Sequence, residues 1–307
     1  MENNKSFYQA PKPSVIGVGG GASRIVNKIQ ANSWLNTCAF GMNSKEMEEL
    51  SLPHKYIIGD GLGSGKDRRL AESECKKVLP YLENELRDKL CVGFVVCLGG
   101  GTGEGCIKTF LQKAVAMKMR MQLLFVTLPH SSEGIEKRRD AISLLKELEK
   151  YTEGIIVVDY ETLPCSTFSE LYEEGDRRMI EIIYEFFHSI FIHGVIGFDF
   201  QDMCTFLRGY PKTKYIEYTS LSGDSNYMEK AINDFSKFLP SKYSSANDIS
   251  SIVIIITVSM DINENVLRNV LSSGLCGQFT KAESKIQIYL DTQSKNFIKL
   301  NIFTKCF

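Results

Sequence analysis

Val92-Gly-Phe-Val-Val-Cys-Leu-Gly-Gly-Gly-Thr-Gly-Glu-Gly105 is the stretch whose reading decides the fold. Its first half is a short apolar strand, and its second half carries five glycines in the seven positions from Gly99 to Gly105. Cys106–Met119 then has helical spacing. Such a strand–loop–helix junction lets bare backbone N–H groups converge on an anion, with the positive end of the helix dipole behind them. Glycine is required because a Cβ would block both the turn and the close approach of a phosphate. For a lone loop the competing reading is a tight turn that holds nothing.

This loop is not alone. Upstream, Ser14-Val-Ile-Gly-Val-Gly-Gly-Gly-Ala-Ser-Arg24 reads as a strand and a second glycine loop, with a helix under way over Ile25–Ile29. Gly17-x-Gly19-x-x-Ala22 fits a dinucleotide fingerprint, which expects an acid at the end of the following strand to grip a ribose. That place holds Cys38–Lys45, and the first acid, Glu46, already lies in a helical run, so the dinucleotide reading is a distant one. A third cluster, Gly59–Asp67, precedes a predicted helix over Arg68–Leu90 bent at Pro80. Its Gly-Ser-Gly-Lys fragment suggests a Walker loop. Asp60 and Asp67 stand where that motif needs Gly and Ser or Thr, so the Walker reading fails.

The totals narrow the class. With 36 basic and 37 acidic residues the chain is no general polyanion binder. Nine cysteines without a CxxC pair suggest reduced cytosolic thiols, and His54, His130, His188 and His193 have no metal-ligand spacing. No apolar run is long enough to span a bilayer. The expectation is a cytoplasmic protein of two lobes.

Further strands are expected at 122–127 and 154–158, with polar loops at 128–139 and 159–162. Strands alternating with helices argue a doubly wound, mostly parallel α/β sheet, whose ligands sit at the C-terminal ends of the strands. Ser169–Ile192 reads as one long helix. Its apolar surface is too wide for a helix with one wet face, so it is expected to be clamped between lobes. The acidic loop Gly197–Asp202 follows, then a helical run from Met203 to Arg208. Beyond it come strands at 215–220, 252–258, 285–290 and 297–303, a helix at 227–238, a polar link at 241–247, and a helix at 263–271 capped by Asp261. These form a smaller α+β lobe.

Taken together, the loops resemble the FtsZ/tubulin family. Gly99-Gly-Gly-Thr-Gly-Glu-Gly105 is similar to the tubulin signature, Gly-Gly-Gly-Thr-Gly-Ser/Thr-Gly. Val15–Gly21 with Val26-Asn27 resembles the first nucleotide loop of FtsZ, Gly61-Leu-Gly-Ser-Gly65 the third, and Glu133-Gly134 after Thr127-x-Pro129 the fifth. Gly194-Val-Ile-Gly-Phe-Asp-Phe-Gln-Asp202 resembles the catalytic loop, Gly-x-x-Asn-x-Asp-x-x-Asp. The likeness runs in register from about residue 14 to the C-terminus.

The resemblance implies a flexible tail (1–13), a nucleotide-binding domain (14–168), a central helix (169–193), and a catalytic loop with a C-terminal α+β domain (194–307). It implies GTP or GDP with Mg²⁺, the metal carried by the nucleotide and not by protein ligands. Phosphates would lie on Gly19, Gly20 and Gly21 and on Gly99, Gly100, Gly101, Thr102 and Gly103. Arg24, Asn43, Gly63, Ser64, Gly65, Glu104 and Lys137 would stand around them, with the ribose near Glu133. Tyr160, Tyr172 and Asp176 would take the base-reading positions, Asp176 lying one place off the strict position held by Arg177. It also implies head-to-tail filaments in which Asp199 and Asp202 dock on the next subunit's nucleotide and position the attack on its γ-phosphate. From below, the same two carboxylates also suit helix capping of 203–208, with Asp202 as the cap.

Departures from the family pattern are specific. Gly197 replaces the usual Asn of the catalytic loop. Glu104 stands where a small hydroxyl is usual, and would repel a triphosphate unless a cation intervenes or the side chain turns away. Arg24 replaces a common Asn, and Lys66, Arg68 and Arg69 crowd the third loop. The expected function is therefore a self-assembling GTPase whose partner is itself, with no nucleic acid and no membrane insertion. A nucleotide-binding filament or a monomeric switch with weak hydrolysis is the alternative. The chain ends at Phe307, straight after the last expected strand, where division FtsZ usually carries a linker and an adaptor-binding peptide.

Overall fold

The structure, a computed structural model, describes residues 11–29, 34–209, 212–233, 249–269 and 282–306. The first half is built from six parallel strands: β1 (Ser14–Val18), β2 (Asn36–Gly41), β3 (His54–Ile57), β4 (Cys91–Cys97), β5 (Met121–Leu128) and β6 (Gly154–Asp159). Their order is β3-β2-β1-β4-β5-β6, so the direction of winding reverses between β1 and β4. Nearly continuous apolar runs, such as Cys91–Cys97, are what a strand covered on both faces requires. Side-chain alternation then sends Val15, Val95 and Phe125 to one core, and Ile16, Phe94, Val96 and Leu124 to the other.

Helices α1 (Gly20–Ile29) and α7 (Phe168–Phe191) pack in the first of these cores. The other face carries α3 (Arg68–Cys75), α4 (Leu79–Leu86), α5 (Gly101–Ala116) and α6 (Ile135–Leu148). A short α2 (Ser44–Glu48) follows β2. Several helix boundaries differ from the sequence reading. α5 starts at Gly101, five residues before Cys106, so most of the signature's glycines form its first turns and not a free loop. α1 likewise starts at Gly20. The helix expected over 68–90 is two helices parted by a 3-10 turn at Lys76–Val78. Pro80 lies in the first turn of α4, where its missing N–H has no intrahelical role.

The sheet continues without a break into the second half. β7 (Tyr215–Gly223) pairs parallel with β6, then β10 (Ile298–Cys306), β8 (Ile249–Ser259) and β9 (Glu283–Asp291) complete ten strands. β9 and β10 follow each other in sequence but lie on opposite sides of β8. α8 (Phe200–Arg208), α9 (Ser225–Asn233) and α10 (Glu264–Asn269) accompany these strands. The link at 241–247, the tail at 1–10 and the helix ends expected at 234–238 and 270–271 lie outside the described residues. Asp261 does not cap α10: it accepts from the Asn296 amide, while the Asn263 side chain accepts from the Asn265 amide at the helix start.

α7 is the spine. A Thr167–Glu170 capping box opens it, and Met179, Ile183, Phe186 and Phe187 are fully buried along it. Phe186 meets Phe125 of the first half and Phe303 of the second. A helix with core on both sides cannot shift without opening both, which makes it a rigid rod between the two halves. At the foot of α8 a buried Lys305 donates to the carbonyls of Phe206, Leu207 and Gly209, satisfying that helix end.

Candidate functional site

A half-open cleft of about 230 Å³ lies where β1 and β4 end, at the point where the winding reverses. Open α/β sheets hold their ligands in that crevice. Two helices begin there. Ser23 is the first residue of α1 to bond back, to Gly19, and Glu104 the first of α5, to Gly100. The amides of Gly20, Gly21 and Ala22, and of Gly101, Thr102 and Gly103, therefore have no intrahelical acceptor. Six N–H groups and two dipoles thus face one crevice, an arrangement made for an anion of several charges.

Glycine is needed here for measurable reasons. Gly19 has φ +89°, and a Cβ on it would lie 3.0 Å from the Gly103 amide nitrogen. A Cβ on Gly101 would lie 2.5 Å from Ser64 Oγ and 2.6 Å from Lys66 Cα. The third loop thus sits directly on the first turn of α5.

The cleft gathers Gly19, Gly20, Gly21 and Arg24 with Gly99, Gly100, Gly101, Thr102 and Gly103, and adds Glu133, Lys137, Tyr160, Tyr172 and Asp176. Lys137 bonds Glu133 at 2.5 Å with its stem over Gly99. Its neighbour Arg138 is locked in a bidentate pair with Asp159 and does not face the cleft. On α7, Asp176 meets Lys28 at 2.9 Å, while Arg177 turns to Glu174 and Glu181. Tyr160 and Tyr172 meet edge to face at 5.4 Å. Gly175 makes room for them, since a Cβ there would strike the Tyr160 ring at 2.3 Å.

Several expected residues lie elsewhere. Asn43, Gly63, Ser64, Gly65 and Glu104 do not line the cleft. Asn43 caps α2 and donates to Glu46, whose carboxylate lies against Gly20. Gly63 and Gly65 face open space in positive-φ turns. Glu104 is buried and turned behind the loop, where it accepts from the Gly99 amide at 2.7 Å and pairs with Arg68. Burial pushes its carboxyl above the usual range, partly opposed by those two contacts. Of the third-loop cations only Arg68 reaches it among the described residues. The sequence reading missed Cys97 and Thr127 on the cleft floor. Burial raises the Cys97 thiol to about 11, so it is a neutral wall at ordinary pH. Strand periodicity could have found both, because Cys97 ends β4 and Thr127, its register partner, is the last residue but one of β5.

Asp199 and Asp202 lie at the other end of α7. The first turn of α8 is a reciprocal capping box: Asp199 accepts from the Asp202 amide at 2.9 Å, and Asp202 from the Asp199 amide at 3.0 Å. The cap is therefore Asp199, and α8 begins at Phe200, three residues earlier than expected. Asp202 also meets Lys285 at 3.1 Å. The Asp199 amide first, and Lys285 next, hold its carboxyl below the usual range.

Residues 13–166 match the Tubulin/FtsZ family GTPase domain. The chain belongs to the tubulin/FtsZ family. It is 25 % identical to cell division protein FtsZ of Aquifex aeolicus, covering 97 % of this chain and 83 % of that one. It is 29 % identical to FtsZ 1 of Pyrococcus woesei over 62 % of this chain, and spans about half, 54 %, of that relative's length. Among solved structures, an empty FtsZ dimer from M. jannaschii superposes with TM-score 0.82 at 19 % identity, covering 96 % of this chain and 88 % of that one. The GTPγS-bound protofilament of CetZ2 from Haloferax volcanii gives 0.78 at 15 %, covering 95 % and 92 %. These likenesses extend the family's fold over the second half, beyond the matched GTPase domain.

Proposed function

We propose that this tubulin/FtsZ-family chain binds a guanine nucleotide in the β1–β4 cleft and assembles head to tail, completing GTP hydrolysis between subunits. The observation that carries this reading is the length of α7. Asp176 lines the cleft and Phe191 ends the helix, a separation of 191 − 176 = 15 residues or about 22 Å of rise. Asp199 lies beyond that rigid rod and cannot visit its own cleft. A second subunit stacked on the first would bring its acidic loop to the open side of the crevice.

The division of labour suits phosphoryl transfer, which needs positioning and charge neutralisation more than covalent help. The six free amides, with Arg24 and Lys137, would hold the phosphates. Glu133 would face the ribose, and Tyr160, Tyr172 and Asp176 the base. Mg²⁺, when bound, would take its ligands from the nucleotide phosphates and water. Asp199 and Asp202 would orient the attacking water from the neighbouring subunit.

Exposed apolar side chains lie on both mating ends. Leu62 is 86 % and Ile135 76 % exposed near the cleft, and Val195 is 66 % exposed on the acidic loop. Turnover of GTP measured against protein concentration tests the reading. Activity per subunit should rise steeply above a threshold at which filaments appear by electron microscopy. Activity per subunit that is flat with concentration would overturn it.

A further inference from the structure

β9, an edge strand of the sheet, has a polar face. Alternate residues Lys285, Gln287 and Tyr289 point the same way; Gln287 and Tyr289 engage the end of α7 and the residue just past it, and Lys285 engages the first turn of α8. Lys285 Nζ lies 3.1 Å from Asp202 and 3.2 Å from Glu283. The Gln287 amide donates to the Ile192 carbonyl at 3.1 Å and to the Tyr289 hydroxyl at 2.6 Å. Tyr289 in turn lies 2.8 Å from the Ile192 carbonyl and 3.1 Å from that of His188, satisfying the end of α7.

The backbone joins in. Val195 donates to Ile288 and Ile288 to Ile196, both at 2.8 Å, so the segment forms a one-bridge extension of the sheet edge. Gly194 allows it, since a Cβ there would lie 2.4 Å from the Ile288 carbonyl oxygen. The Gln287 carboxamide fills the space a side chain at position 197 would enter, 3.3–3.5 Å from a Cβ built on Gly197. Gln287 is 1 % exposed, and its Oε1 has no hydrogen-bond partner among the described residues. A buried amide left half satisfied is a cost to stability. A Leu or Met would fill the volume without it.

We propose that this face of β9 is a positioning brace for the acidic loop: Lys285 fixes Asp202, Gln287 and Tyr289 fix its approach from α7, and Asp199 is left exposed for the incoming subunit. The loop from Ile192 to Asp199 has one isolated bridge and no regular structure. Without the brace its carboxylates would sample many positions, and placement errors of an ångström are costly to turnover. The idea rests on the proposed interface chemistry for its catalytic consequence, but the brace itself is a property of a single subunit.

The test uses the full chain with Lys285→Met, Lys285→Arg and Gln287→Leu, read two ways. In the unassembled protein, amide exchange at Val195 and Asp202 should quicken at least about tenfold in Lys285→Met and Gln287→Leu, and return to within about threefold of wild type in Lys285→Arg. In assembled protein, Lys285→Met should lower turnover per subunit about tenfold while nucleotide affinity stays within about twofold, and Lys285→Arg should restore it. Unchanged exchange in both disruptive variants overturns the brace. So does loss of nucleotide affinity in step with turnover, which would mark a general folding defect. If wild type turns over no GTP, the proposed function falls, and the exchange measurement still decides the brace.

Discussion

The crevice at one end of α7 and the acidic loop at the other are built on opposite principles. The crevice presents backbone: six amides at two helix starts, with glycines where any side chain would collide. The loop presents side chains, and its shape is imposed from outside by a strand more than eighty residues further along the chain. Backbone sites are rigid because the sheet and helix ladders already fix them. Side-chain sites need a separate scaffold, and here that scaffold is β9. The same chain therefore holds one end of its proposed reaction by fold alone, and the other by contacts that single substitutions can remove.

The sharpest way to break the comparison is at Gly101. An alanine Cβ would meet Ser64 and the backbone of Lys66 at 2.5–2.7 Å, and backbone cannot swing aside. Gly101→Ala should lower GTP affinity more than about 100-fold, equivalent to about 2.7 kcal/mol, measured by titration calorimetry. Affinity within threefold of wild type would show that the first turn of α5 is not where phosphates bind. Asp199→Ala should do the reverse. Turnover per assembled subunit should fall about 100-fold, the low end for loss of a positioned proton-handling group, while affinity in the unassembled protein is unchanged. A fall in affinity there would place Asp199 in its own subunit's site, against the reach of α7.

The same contrast explains how much was legible in the sequence. Glycine loops announce themselves because only one residue type fits, so the strand–loop–helix order, the crevice and most of its lining followed from residues 14–24 and 92–105. The start of α5 was misplaced for a related reason. Glycine has poor helix propensity, yet the N–H groups at Gly101–Gly103 lie in the first turn, where no intrahelical bond is lost. What sequence could not give was side-chain direction. Glu104 is adjacent to the phosphate loop in sequence, but its carboxylate points behind it to Gly99 and Arg68. The Asp199-x-x-Asp202 spacing does allow the reciprocal box that makes Asp199 the cap. The ion pair of Asp202 with Lys285 had no local signal, because the register of β9 on β8 sets it.

The smallest effect separates the two regions by the sign of their pH dependence. Burial raises the Glu104 carboxyl, so in the window just above the ordinary carboxylate range the folded chain binds more protons than the unfolded one. Stability contributed by this group therefore falls as pH rises through that window. Asp202 is shifted the other way by the Asp199 amide and Lys285. Its contribution is present above the ordinary value and is lost as pH falls toward its lowered folded value. Thermal melts of Glu104→Gln, which keeps an acceptor for the Gly99 amide, should lose part of the decline that begins just above the ordinary carboxylate range. Asp202→Asn should instead lose part of the decline below about pH 4. Melts in which both variants shift the same limb would mean that the two carboxylates sit in equivalent surroundings, and the contrast between a fold-made crevice and a braced loop would fail at its most local level.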